Sequence, residues 1–314
     1  MRRGLLKAGA AIGGGAALVG GLALANRALL LDDLPPTLPG AMHDWTWRGW
    51  RVRYTTLGAG PPIVLVHGVH AAASSFEMRG IFEPLRQQHA VYAVDLLGFG
   101  KSERPDAMYS GPLYRDLLAD FLQEVVQRPA VVVASSLSGG YAVAVARSTP
   151  RSVERLVLLS PTGTTSTGPL GRLVGGLFSL PLLGTAAFNL LVSRASIRRY
   201  LERVYADPSH VDEPLIEQQW ATSHQPSSRL APAAFVAGRL DVPLRDDPKP
   251  VNAPVLVIRG AKPGLGTSAT DGELRGLGPD VTIDTFDGVG QLPHDEAPDR
   301  TLETIEAWLG RRST

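Results

Sequence analysis

The chain has 314 residues, 44% of them hydrophobic and 19% charged, with a formal net charge of +1. That length buries one large core or two smaller ones, and a near-neutral chain offers no electrostatic footprint for nucleic acid, which excludes that class of partner. The absence of cysteine excludes disulfides, a thiol nucleophile, a cysteine-based metal site and an amino-terminal lipoprotein anchor.

Residues 1–38 read as a signal or anchor segment and a linker. Arg2, Arg3 and Lys7 precede an Ala/Gly-rich run that stays uncharged from Ala8 to Asn26. The string "RRGLLK" resembles a twin-arginine export signal, and Ala23-Leu24-Ala25 fits a small-x-small cleavage site. An uncleaved anchor is the other reading, because the run just reaches membrane-spanning length. Its glycines weaken it as a spanning helix, so export to the periplasmic or extracellular face is the preferred expectation. The prolines of "LDDLPPTLPG" predict an extended tether.

From residue 39 to 161 strands alternate with helices. "TWRGWRVRYTTLG" predicts two paired strands, "PPIVLVHG" a fully apolar strand, and "FEPLRQQ" a helix. "AVYAVDLLGFG" predicts a buried strand ending in a glycine turn, and "PLYRDLLADFLQEVVQ" has helical spacing. "VVVASSLSGGYAVAVA", Val131 to Ala146, reads as a buried strand that turns sharply through small residues into an alanine-rich helix. "RSVERLVLLSP" and "APVLVIRG" continue the series of Val/Leu/Ile runs. Such runs between helices predict an α/β fold, a mostly parallel sheet covered on both faces. The alternation fails between Pro161 and about Val251. A helical lid is expected at residues 162–251, with the core resuming at 252–314. Leu173 to Ser193 carries no charge, but Gly175, Gly176, Pro181 and Gly184 interrupt it, which favours a lid over a membrane span. Leu177, Phe178, Leu180, Leu182, Leu183 and Phe188 are too many for a solvated face, so part of this set is expected to line an apolar pocket.

The order of elements, with "VHGVHAAASSF", "DLLGFGKSERP", the strand–turn–helix and "LPHDEAP", resembles the α/β-hydrolase superfamily, in its lidded branch of esterases, C–C hydrolases and haloperoxidase-like proteins. The resemblance implies the α/β-hydrolase fold and a nucleophile elbow, which needs small side chains two residues either side of a serine. Ser136 meets that demand between Ala134 and Ser138. Ser138 meets it between Ser136 and Gly140, but strand length and the distance to Pro150 favour Ser136. The resemblance also implies an oxyanion hole built from the backbone N–H groups of Val69 and Leu137. His67 reads as a turn stabiliser, and Asp95 as structural.

The family's outer elbow glycines are replaced by Ala134 and Ser138, and its acid and base positions are substituted as well. Its acid position is occupied by Pro263 in "GAKPG", and its base position by Gln291 in "GQLPH". A glutamine amide is far too weak a base to take a serine proton. In a serine hydrolase, loss of the histidine alone costs about a millionfold in turnover. His294, three residues beyond Gln291, is the best substitute base, with Asp295, Asp287 or Asp271 to orient it. His224 reads as a surface residue. No His/Asp/Glu spacing predicts a metal site, no phosphate-cradling loop appears, and no cofactor is expected. The expectation is a serine hydrolase of a small apolar ester or related acyl substrate with an atypical or degenerate triad. The alternative is a non-catalytic protein of the same fold that binds an apolar ligand or partner.

Overall fold

The computed structural model describes residues 19–31, 34, 38–164, 168–245, 247–262 and 267–311. Arg2, Arg3 and Pro263 lie outside these. The central sheet contains β1 (Ala41–Trp47), β2 (Trp50–Leu57), β3 (Pro62–Val66), β4 (Ala90–Val94), β5 (Ala130–Ser135), β6 (Val153–Leu159), β8 (Val255–Gly260) and β10 (Val281–Phe286), in the order β1-β2-β4-β3-β5-β6-β8-β10. β7 (Thr162–Thr164) and β9 (Thr267–Ser268) form a separate antiparallel pair. β2 runs antiparallel to both β1 and β4, and every other pairing in the central sheet is parallel. The β1–β2 hairpin closes through Arg48 and Gly49, both at positive φ, which matches the turn twist that tight hairpins need.

The apolar runs are continuous because both faces of the sheet are covered. On β3, Ile63 and Leu65 pack with Ile81, Phe82, Ile305 and Trp308, from α1 (Arg79–Leu85) and α11 (Pro298–Leu309). Val64 and Val66 point the other way, into a layer with Tyr114, Leu117, Tyr141 and Val143 from α2 (Gly111–Phe121) and α3 (Ser138–Ser148). With both faces sealed, no strand position in this run has water to face, and alternation disappears. α2 starts where Ser110 Oγ accepts the Leu113 amide, with a proline in the first turn.

Among the described residues five α-helices stand between β6 and β8: α4 (Gly168–Ser179), α5 (Leu183–Leu191), α6 (Arg194–Val204), α7 (Glu213–Ser223) and α8 (Leu230–Val236). α9 (Asp271–Arg275) and α10 (Pro293–Glu296) lie after β8. α4 and α5 meet at 117°. They approach closely at Gly184, where a Cβ would stand 2.4 Å from the Leu177 carbonyl oxygen. Among the described residues no single helix is long and apolar enough to cross a membrane.

The apolar residues of this arm do not all turn inward as expected. Phe178 and Phe188 are buried edge-to-face, with ring centroids 5.9 Å apart. Leu177, Leu180 and Leu183 are exposed instead. α4 packs against α8 and α5, and among the described residues its leucine side, Leu170, Leu173 and Leu177, stays exposed.

Residues 19–28 are helical and sit against this arm. Asn26 Nδ2 donates to the Leu182 carbonyl at 3.1 Å, and Asn189 Nδ2 donates to Asn26 Oδ1 at 3.3 Å. The Leu31 amide donates to the His224 carbonyl at 3.0 Å.

Candidate active site

β5 ends at Ser135, and the next residue adopts φ +51°. A left-handed backbone at a non-glycine residue costs on the order of 1–3 kcal/mol and persists only where its surroundings enforce it. Here the Ser136 amide donates to Leu159 O at 2.9 Å, while its carbonyl accepts from Gly139 at 3.1 Å and from Thr162 at 3.3 Å. Ser138 is fully buried, and its Oγ donates to the His67 carbonyl at 2.6 Å, tying the turn to the loop after β3. Ser136, not Ser138, therefore occupies the apex of the turn. Its half-buried Oγ has a hydroxyl partner in Thr162 Oγ1 at 3.4 Å.

Val69 and Leu137 flank this apex along the two loops, and among the described residues neither backbone N–H has an acceptor. His67 is fully buried and structural: its Nε2 accepts from the Leu96 amide at 3.1 Å, so its Nδ1–H donates to Gly68 O at 2.6 Å. Asp95 accepts from the amides of Ser75 and Lys101, at 2.7 and 2.8 Å. It thereby anchors the 3-10 turn Ser75–Met78, which carries Glu77.

Glu77 is the residue that sequence reasoning missed. Its buried carboxylate accepts the Gly68 amide at 3.1 and 3.2 Å, accepts from His294 Nε2 at 3.2 Å, and stands 4.0 Å from His70 Nε2. Burial works to raise its pKa, but the hydrogen bond and charge of His294 and the charge of His70 hold it down at about 2. A methyl group on Gly68 would lie 3.2 Å from Glu77 Oε2 and 3.3 Å from Ser136 Cβ, so carboxylate and elbow are neighbours. One signal was available: Glu77 is the only acidic residue from Gly68 to Met78.

His294 is fully buried, with Nε2 on Glu77 and Nδ1 without a partner among the described residues. The structure does not bring it into hydrogen bonding with Ser136. The three carboxylates considered as its orienting partner are elsewhere: Asp295 binds Arg79 and Tyr205, Asp271 binds Arg259, and Asp287 is exposed. The Gln291 backbone N–H donates to Val204 O at 2.8 Å, and the residue lines a 320 Å³ cavity with Ser160, Arg259 and Lys262. His224 is buried rather than at the surface, stacked on Trp220 with centroids 4.4 Å apart.

Under the helical insertion lies a cavity of about 450 Å³, walled by Val192, Ile197, Tyr200, Phe235 and Val236, with His70 at its floor. His70 stacks on Tyr200, and burial pushes its pKa down to about 4 against the pull of Glu77. Its Nδ1 accepts the Ala72 amide at 3.3 Å, which turns Nε2–H toward Glu77. Arg199, Arg203 and Gln219 add polar groups to this mostly apolar lining, which suits an apolar ligand with a small number of polar atoms.

The alpha/beta hydrolase family model matches residues 63–304. An uncharacterised protein of Mycobacterium tuberculosis (strain ATCC 25618 / H37Rv) is 26% identical, over 88% of this chain and 82% of its own length. A 2-hydroxymuconate semialdehyde hydrolase of Pseudomonas sp. (strain CF600) is 31% identical over 64% of this chain and 68% of its own. The solved structure of the epoxide hydrolase CorEH shares the fold, with a TM-score of 0.71 at 22% identity, covering 86% of this chain and 98% of that one. Strand order, elbow and family match agree: the chain belongs to the alpha/beta hydrolase family.

Proposed function

We propose that this chain is a serine hydrolase of an apolar ester or related acyl substrate, with Ser136 as nucleophile. One observation carries the reading: Ser136 is held at φ +51° beside two backbone N–H groups, of Val69 and Leu137, that have no acceptor among the described residues. In this reading Ser136 Oγ attacks the acyl carbon and the carbonyl oxygen takes up negative charge facing those amides. His294 is the base, Glu77 orients it through Nε2, and Nδ1 receives the serine proton. Transfer requires the loop carrying His294 to close on the elbow, since Ser136 Oγ now meets Thr162. The N-terminal segment directs export in the same reading; replacing Arg2 and Arg3 with lysine should retain the protein inside the cell.

A second reading, a non-catalytic binder of an apolar ligand, is favoured by a specific observation. The Glu77 carboxylate, ionised at neutral pH, packs beside the elbow and would oppose a developing oxyanion. A fluorophosphonate probe separates the two. Labelling of Ser136 that is lost in both Ser136→Ala and His294→Ala supports the hydrolase. An unlabelled wild type whose melting temperature rises with lipophilic ligands supports the binder.

A further inference from the structure

We propose that the outer face of α4 and α5 is a docking surface for an anionic phospholipid bilayer. Leu170, Leu173 and Leu190 are 70%, 72% and 76% exposed, and Leu177, Leu180 and Leu183 extend the same apolar arm. A contiguous apolar surface of this kind marks an interaction site rather than a solvated face.

Three observations select a bilayer as the occupant. The helical residues 19–28 are clamped to this arm by Asn26, and Val19 and Leu24 on them are exposed as well. That helix is apolar from Val19 to Ala25, with Asn26 turned to the arm and Arg27 at its carboxyl end, which suits hydrocarbon better than a one-sided protein groove. Arg172 lies on α4 between two of the exposed leucines, and Arg199 and Arg203 edge the cavity under the insertion. Among the described residues these three exposed arginines have no carboxylate partner, which suits anionic headgroups. The 117° bend keeps both short helices shallow, so the arm lies in the interface instead of spanning it. Leu191 is both exposed and part of the cavity wall, so the docked face opens on the cavity and an apolar molecule can pass from the bilayer without crossing water. The proposal concerns the outer face and stands independently of the chemistry at Ser136.

The cysteine-free chain permits a direct test on the full-length protein. Leu173→Cys, Leu190→Cys and, on the exposed side of α11, Glu303→Cys each receive an environment-sensitive fluorophore. The proteins are mixed with phosphatidylglycerol-containing vesicles that carry nitroxide-labelled acyl chains. The two arm probes should be quenched at least twofold more than the Glu303 probe. Replacing Arg172, Arg199 and Arg203 with glutamine should lower partitioning about fivefold per charge removed. Proteins that float with the vesicles while all three probes respond alike would overturn the proposal, since the N-terminal segment alone would then hold them. Arm probes already shielded from iodide without vesicles would overturn it too, by showing the face covered by residues 1–18 or a second copy. Equal partitioning into phosphatidylcholine vesicles would overturn the anionic-headgroup assignment.

Discussion

Glu77 and His294, 217 residues apart in sequence, meet at 3.2 Å in the buried space beside the elbow. The pair joins the loop after β3 to the segment after β10. Glu77 accepts from both loops at once, through the Gly68 amide and the His294 ring. Removing one partner of such a buried, hydrogen-bonded pair leaves the other desolvated and unsatisfied.

Glu77→Ala should therefore destabilise the fold by about 3 kcal/mol or more, and Glu77→Gln by clearly less, because the amide oxygen still accepts. Urea unfolding of both variants measures this. A loss below about 1 kcal/mol for the alanine variant would show that the cluster is not structural.

Stability should fall as the solution is acidified below neutrality. Between about pH 4 and 6.5 the unfolded chain binds a proton at His70 that the native chain does not, so stability rises with pH across that window. Glu77 adds a lower window: its contribution is complete above about 4.5 and is lost as pH falls toward about 2. The His70 effect amounts to roughly 3 kcal/mol at about 1.4 kcal/mol per pH unit. Unfolding curves of wild type and His70→Gln at pH 7, 5.5 and 4.5 should show the variant's profile flattened; parallel profiles would count against this assignment.

Gln291→His combined with Pro263→Asp should raise fluorophosphonate labelling above the wild-type level. The amides of Val69 and Leu137 are backbone groups, so the two substitutions leave them in place. The gain should vanish when Ser136→Ala is added. An unchanged signal in the restored variant would mean that the loop after β10 does not reach the elbow.

The strands were legible because burial on both faces of the sheet writes itself as unbroken apolar runs, as in β3 and β5. The elbow was legible from its small residues. Glu77 was not, since its partnership depends on a turn held by Asp95, a contact made through backbone amides that leave no side-chain pattern. The arm leucines were misread for a different reason. Their composition signalled that something must cover them, and an apolar run does not say whether the cover is protein. His224 reads as polar in sequence, yet its ring finds both a stacking face in Trp220 and a backbone acceptor there.

Gly140 offers a fourth test. A Cβ there would stand 2.1 Å from the Val242 carbonyl oxygen, where the chain leaves the helical insertion and crosses α3. Gly140→Ala should lower stability by about 1–3 kcal/mol and shift the insertion, read as a change in Trp220 fluorescence in a variant that keeps Trp220 as its only tryptophan beside the insertion. Thermal unfolding unchanged from wild type would show that this crossing gives way freely.

That crossing has a counterpart at the other root of the insertion, where Thr162 bonds both the carbonyl and the hydroxyl of Ser136. Both roots of the insertion thus bear on the same strained turn and the first residues of its helix. Among the described residues both roots touch the elbow or its helix, so an outward swing of the insertion bears on Thr162 and Val242. Entry to the cavity and the posture of Ser136 thus share the same two points of attachment, Thr162 and Val242.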